Sequence, residues 1–234
     1  GRAHMVDVLL GLLDYVGFAL LVIGVLALVI WRAGRRDRGL QAVAESLGMS
    51  YARRDDAPLE SFAGLKVFDA IGVRSLANVA EGTISGSRVW LVDYRYSKNP
   101  TGTVERYGFS ACVLKGDRLD LPHFRIVSRS RPRSSTLSPV PHRPEDDPEA
   151  PLQDSGELAR GFRLFTASPD AVRPLLGPGL EERLLASWKP YLEIEGLGDR
   201  LAVTRRSWIE PKDVRTMLDQ AAWILDDLRR ASPH

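Results

Sequence analysis

The chain has 234 residues, 44% of them hydrophobic and 26% charged, with a formal charge of +2 and a mean hydropathy of -0.15. These values exclude wholesale disorder and a collagen-like repeat, and a single cysteine excludes a disulfide-stapled scaffold. A multi-span transporter is excluded as well, because one stretch alone is long and apolar enough to cross a bilayer.

Residues 1–7 form a short leading segment, in which Gly1 to His4, ahead of Met5, read as a cloning scar. Residues 8–31, VLLGLLDYVGFALLVIGVLALVIW, predict a transmembrane helix. The basic flank 32–38 follows, with Arg32, Arg35, Arg36 and Arg38 as a stop-transfer signal that faces anionic lipid headgroups. By the positive-inside rule the N-terminus lies outside and the following domain in the cytoplasm, which predicts a single-pass protein of the bacterial inner membrane. Tyr15 and Trp31, about 24 Å apart at 1.5 Å per residue, suit aromatic belts, and Trp31 is a candidate partner contact. Asp14 falls at the outer headgroup level or, deeper, hydrogen-bonds a partner helix. Leu10, Gly17, Gly24 and Trp31 recur every seven residues, so Gly17 and Gly24 open a groove for helix packing against another membrane subunit.

Residues 39–127 read as the first part of a cytoplasmic α+β domain of antiparallel sheet with packed helices. Leu40, Val43, Ala44 and Leu47 predict a short amphipathic helix stopped by Gly48. Strand character follows at Leu65 to Ile71, Ala77 to Ile84, Ser87 to Tyr96 and Tyr107 to Lys115, separated by turn residues, which predicts an antiparallel meander with both faces partly covered. Residues 128–155 hold six prolines and few large apolar residues and read as a linker or long loop, basic in its first half and acidic in its second.

Residues 156–231 complete the domain. The pattern predicts a strand at Phe162 to Thr166, a serine-capped helix from Ser168, and a helix from Leu180 to Trp188. A hairpin follows around Gly196 to Asp199, and then a helix from Pro211 to about Arg230. Val214, Met217, Leu218, Ala221, Ile224, Leu225 and Leu228 share one face of that last helix. Trp223 points the other way, which marks it as a partner contact or as packing under the long loop.

Candidate chemistry is sparse. His123, in LDLPHF, is the one histidine in a folded segment, and Cys112 reads as a small core residue. Neither paired Cys/His spacings for zinc nor a phosphate-binding glycine loop occurs, so no cofactor and no catalytic residue is assigned. The five arginines and three aspartates of 1–38 hold the whole charge excess, so the rest is neutral and offers no footprint for nucleic acid.

The runs NVAEGTISGSRVWLVDYRYS (Asn78 to Ser97), LDLPHFRI (Leu119 to Ile126) and the later GFRLFTASPDAVRPLL resemble a diffuse group of uncharacterised bacterial proteins with a single-pass membrane anchor. The resemblance implies an α+β domain and carries no site residues. In layout alone the chain is similar to the H subunit of photosynthetic reaction centres. The expected function is a non-enzymatic accessory or scaffold subunit that stabilises a larger membrane protein complex, photosynthetic or respiratory, by binding integral membrane subunits. A membrane-tethered sensor or small-ligand-binding domain is the alternative, and a hydrolase or transferase built around His123 or Asp93 is a third.

Overall fold

A computed structural model describes residues 2–70, 72–97, 106–117, 119–129, 148–152, 158–186, 192–205 and 207–232, and on the first helix the side chains at 17–28, 31, 32 and from 34 onward. The chain divides into two compact units, residues 1–39 and residues 40–234.

The first unit lies within helix α1 (Arg2–Ser46). Here the expectation of a transmembrane helix over 8–31 is corrected: among the described residues no helix is long and apolar enough to cross a membrane. Among the described residues the fold class is α+β, helices packed on an antiparallel sheet, and the spanning helix of the expected class is not found. The short helix expected from Leu40 is the end of α1, and Gly48 (φ 71) supplies the left-handed residue that ends it.

In the second unit, nine strands among the described residues make one sheet, with every neighbouring pair antiparallel. They are β1 (Ser50–Arg54), β2 (Arg74–Ile84), β3 (Ser87–Ser97), β4 (Arg106–Lys115), β5 (Leu121–Ser128), β6 (Glu149–Ala150), β7 (Phe162–Phe165), β8 (Leu192–Gly198) and β9 (Arg200–Arg205). The order is β1-β2-β3-β4-β9-β8-β5-β7-β6, so the expected meander occupies one side of the sheet. The second half of the chain joins it through β4 and β9.

The period of two along β3 and β4 sorts side chains between two cores. Val89, Leu91, Cys112 and Leu114 face a layer that includes α5 (Pro178–Ala186) and α6 (Val214–Ala231). The predicted apolar face of α6 is buried there in full, each large side chain contributing about 1.5–3 kcal/mol. Trp90, Val92, Tyr94, Phe109 and Val113 face the other way.

That second face is covered by residues expected to form a strand at Leu65 to Ile71. Lys66–Phe68 is instead a single 3-10 turn following α2 (Pro58–Ser61), and Phe62, Leu65, Val67 and Phe68 form an apolar plug. Adjacent Val67 and Phe68 are both buried in one core, which a strand with alternating faces cannot achieve. Phe68 meets Tyr94 edge-on at 5.1 Å, Phe62 meets Trp90 at 5.6 Å, and the Tyr94 hydroxyl donates to the Phe68 carbonyl at 2.8 Å.

Two further expectations shift in detail. Helix α3 (Leu158–Gly161) precedes helix α4 (Pro169–Val172), which starts after Ser168 as predicted, but the serine side chain makes no capping bond to it; the Ser168 carbonyl accepts the first helical amides, Ala171 and Val172, at 3.1 and 3.2 Å. The β8–β9 turn contracts to the two residues Gly198-Asp199 between the paired Leu197 and Arg200, with Gly198 at φ 55 supplying the left-handed position of a tight hairpin.

Candidate functional site

Polar groups that alternate with apolar ones on β5 and β8 line up along one face of that strand pair. The register sets Arg125 opposite Glu195 and Val127 opposite Glu193. Arg125 donates through Nε and Nη2 to Oε1 of Glu193 at 3.0 and 2.5 Å, with both side chains essentially inaccessible. Taking a charge pair this completely from water carries a desolvation cost, against which the structure sets two charge-assisted bonds to one carboxylate oxygen.

One step along the row, the Glu195 carboxylate accepts the Lys66 amide at 2.7 Å and the Val67 amide at 2.9 Å, tying the plug to the sheet. Oε1 of Glu195, which takes the Lys66 amide, also lies 2.9 Å from Nε2 of His123. A register shift between Leu121 and Phe124 lifts Pro122 and His123 from the regular ladder, leaving the imidazole 28% exposed. His123 is thus the outlet of a buried charged row to solvent. Glu195 was not legible as its partner, because the strand LEIEG shows only alternation.

A carboxylate-oriented imidazole is half of a nucleophile-activating arrangement. The hydroxyls and thiol in the surrounding strands are engaged elsewhere. Thr166 Oγ1 donates to the His123 carbonyl at 2.8 Å and accepts the Ser168 amide at 3.1 Å. Ser110 donates to Asp93 at 2.6 Å. The Cys112 thiol is buried on the other face, and burial pushes its pKa far up, which keeps it neutral and unreactive. Among the described residues no cluster of His, Cys, Asp or Glu could hold a metal ion.

A second polar knot sits in the meander. Between Ala77 and Ala80 the β2–β3 register shifts, and Asn78 takes the left-handed conformation (φ 49). Its amide donates to Asp93 at 2.7 Å and accepts the Tyr51 hydroxyl at 2.5 Å, while Ser110, bonded to Asp93, accepts the Ile209 amide at 2.8 Å. Both Asn78 and Asp93 are buried.

The residues singled out for partner contact fall as follows. On α1, a side chain added at Gly17 or Gly24 would meet nothing within 4 Å, and Asp14 lies outside the described side chains. Trp31 is 54% exposed with Arg35 over its ring at 5.5 Å. Arg32, Arg35 and Arg38 are exposed, and Arg36 is half-buried with Asp37 at 4.0 Å. Trp223 is half-buried against the α6 core, with Arg183 of α5 at 5.9 Å over its ring. Of the expected linker 128–155, residues 130–147 and 153–155 lie outside the described residues, and Glu149–Ala150 form β6.

No protein-family model matches the chain, and no curated protein matches it. Among solved structures, the crystal structure of the mycobacterial trehalose monomycolate transport factor A, TtfA, is similar in fold, with a TM-score of 0.54 at 15% identity over 84% of this chain and 96% of that one.

Proposed function

We propose that the chain is an accessory or scaffold subunit that joins a larger membrane protein complex at the cytoplasmic face of a bacterial inner membrane. One observation carries the reading. On α1, Phe18, Leu20, Leu21, Ile23, Val25, Leu26 and Leu28 are each more than half exposed, and the helix then runs into Arg32, Arg35 and Arg38. A continuous apolar surface of this kind marks a contact with protein or lipid, and the basic turns after it complement anionic headgroups at about 1 kcal/mol per residue.

The test is fractionation of the full chain at native abundance. The unmodified protein should sediment with membranes and migrate in a larger assembly after mild detergent extraction. A Leu21→Lys, Leu26→Lys variant should be released while its domain melts at the unchanged temperature. Migration of the unmodified chain alone would remove the basis for this reading.

A further inference from the structure

The helix layer over β3 and β4 gives out at the end of β3 near Ser97. The alternation that buries Val89 and Leu91 under the helices sets Arg95 on the same face, and there it is exposed. The register places Ser75 of β2 on one side of Arg95 and Gly108 of β4 on the other. Val73, two positions before Ser75, continues that face, and its carbonyl accepts the Ser97 amide at 3.1 Å. Outside α1, Val73 and Trp208 are the large apolar side chains exposed among the described residues, at 68% and 41%. Both belong to this corner of the sheet.

Trp208 is held in place from both sides of its own backbone. The Ser207 carbonyl accepts the Ser110 amide at 3.3 Å, and the Ile209 amide donates to Ser110 Oγ at 2.8 Å, with Ile209 buried in the helix-covered core. The indole stands over Gly108, where any side chain would overlap the ring, so glycine is what lets the indole lie against the strand. The Arg95 guanidinium lies 5.7 Å from the centre of that ring. No carboxylate among the described residues pairs with Arg95, whereas Arg88 on the same strand has Glu81 at 2.6 Å. An unmatched guanidinium between two exposed apolar side chains, one of them an anchored tryptophan, has the composition of an interface hot spot.

We infer that Val73, Arg95 and Trp208 form a docking patch for an acidic segment of a partner protein, in which a carboxylate is flanked by apolar side chains. The carboxylate pairs with Arg95, and its apolar neighbours pack on Val73 and on the open edge of Trp208. The patch crosses from β2 to β4, roughly 10 Å at about 4.8 Å per strand, a distance one short peptide segment covers. A lipid surface is the poorer occupant, because Trp208 is more than half buried against the sheet and does not project as an inserting side chain must. This patch lies in the second unit, goes beyond the accessory role argued from α1 and stands without it.

Selection of a phage-displayed library of random linear peptides on the full chain tests the proposal, with the Arg95→Glu chain as the counter-target that removes peptides held by α1. Arg95→Glu alters an exposed side chain without an ion pair and should leave the melting temperature unchanged. Peptides specific to the unmodified chain should carry Asp or Glu beside apolar residues. Their binding should weaken roughly tenfold or more on Trp208→Ala and roughly threefold on Val73→Ser, and as strongly as on Trp208→Ala when the peptide carboxylate is replaced by its amide. The proposal is overturned if no selected peptide distinguishes the unmodified chain from Arg95→Glu, if those that do lack a carboxylate, or if they bind Trp208→Ala and Val73→Ser undiminished. A shift in tryptophan emission on adding phosphatidylglycerol vesicles, lost in Trp208→Phe, would assign the patch to lipid and overturn it as well.

Discussion

Arg125 and Glu193 show how a single pair decides the chemistry of a whole strand face. With both side chains inaccessible, removing one partner leaves a charge in a medium that cannot solvate it. Glu193→Ala should cost about 3–5 kcal/mol in urea denaturation, and the double change Arg125→Met, Glu193→Leu should recover most of that loss. A cost below about 1 kcal/mol for the single change would show that water reaches the pair. The pair was not legible in the sequence for a physical reason. Leu192-Glu193-Ile194-Glu195 alternates as a strand with one wet face does, and nothing local says that the second face is covered. His123 was visible as a residue, but the carboxylate that orients it lies 72 positions away.

At the scale of elements, strong periodicity survived folding and short apolar runs did not. The meander strands and the apolar face of α6 are set by repeated spacings of two and of 3.6, each reinforced over many residues. The run beginning at Leu65 had too few residues to specify a ladder, and stacking on Trp90, Tyr94 and Phe109 turned it into the plug. The bulge at Asn78 is likewise invisible without its partner strand. Its left-handed backbone and its bond to Asp93 predict an ordering. Asn78→Ala should cost about 2–4 kcal/mol, from backbone strain together with a buried carboxylate short of a donor. Asn78→Gly keeps the backbone relaxed and should cost less, and equal losses in denaturant titrations would contradict the conformational part of the explanation.

Over the whole molecule, the near-average composition conceals an apolar helix section with arginines behind it and a neutral domain with two cores. Global stability should carry a signature of the buried acids in those cores. Burial holds back ionisation of the Cys112 thiol and, despite the nearby Arg74, of the Tyr94 phenol. The unfolded chain therefore releases these protons first as pH rises. The stability they contribute is intact below about pH 8.5 for the thiol and about pH 10 for the phenol, the ordinary ranges of the two groups. Above those values it falls, by up to about 1.4 kcal/mol per pH unit for each group. Denaturation midpoints followed from pH 7 to 10.5 should decline accordingly, and Cys112→Ala should flatten the first part of the decline. An unchanged slope in that variant would place the alkaline loss elsewhere.

The tie between Glu195 and the plug also sets a timetable for synthesis. Lys66 and its carboxylate partner are 129 positions apart, and Lys115 at the end of β4 pairs with Arg200. At about 5–20 residues per second, the ribosome leaves the outer edge of β4 without its neighbour for several seconds to more than ten. During that interval the meander exposes a long pleated edge, the form of surface that recruits a second nascent chain. The last-made hairpin closes the edge and fastens the plug in one event. A stalled or truncated chain ending before β8 should therefore be far more prone to aggregation than its own composition suggests.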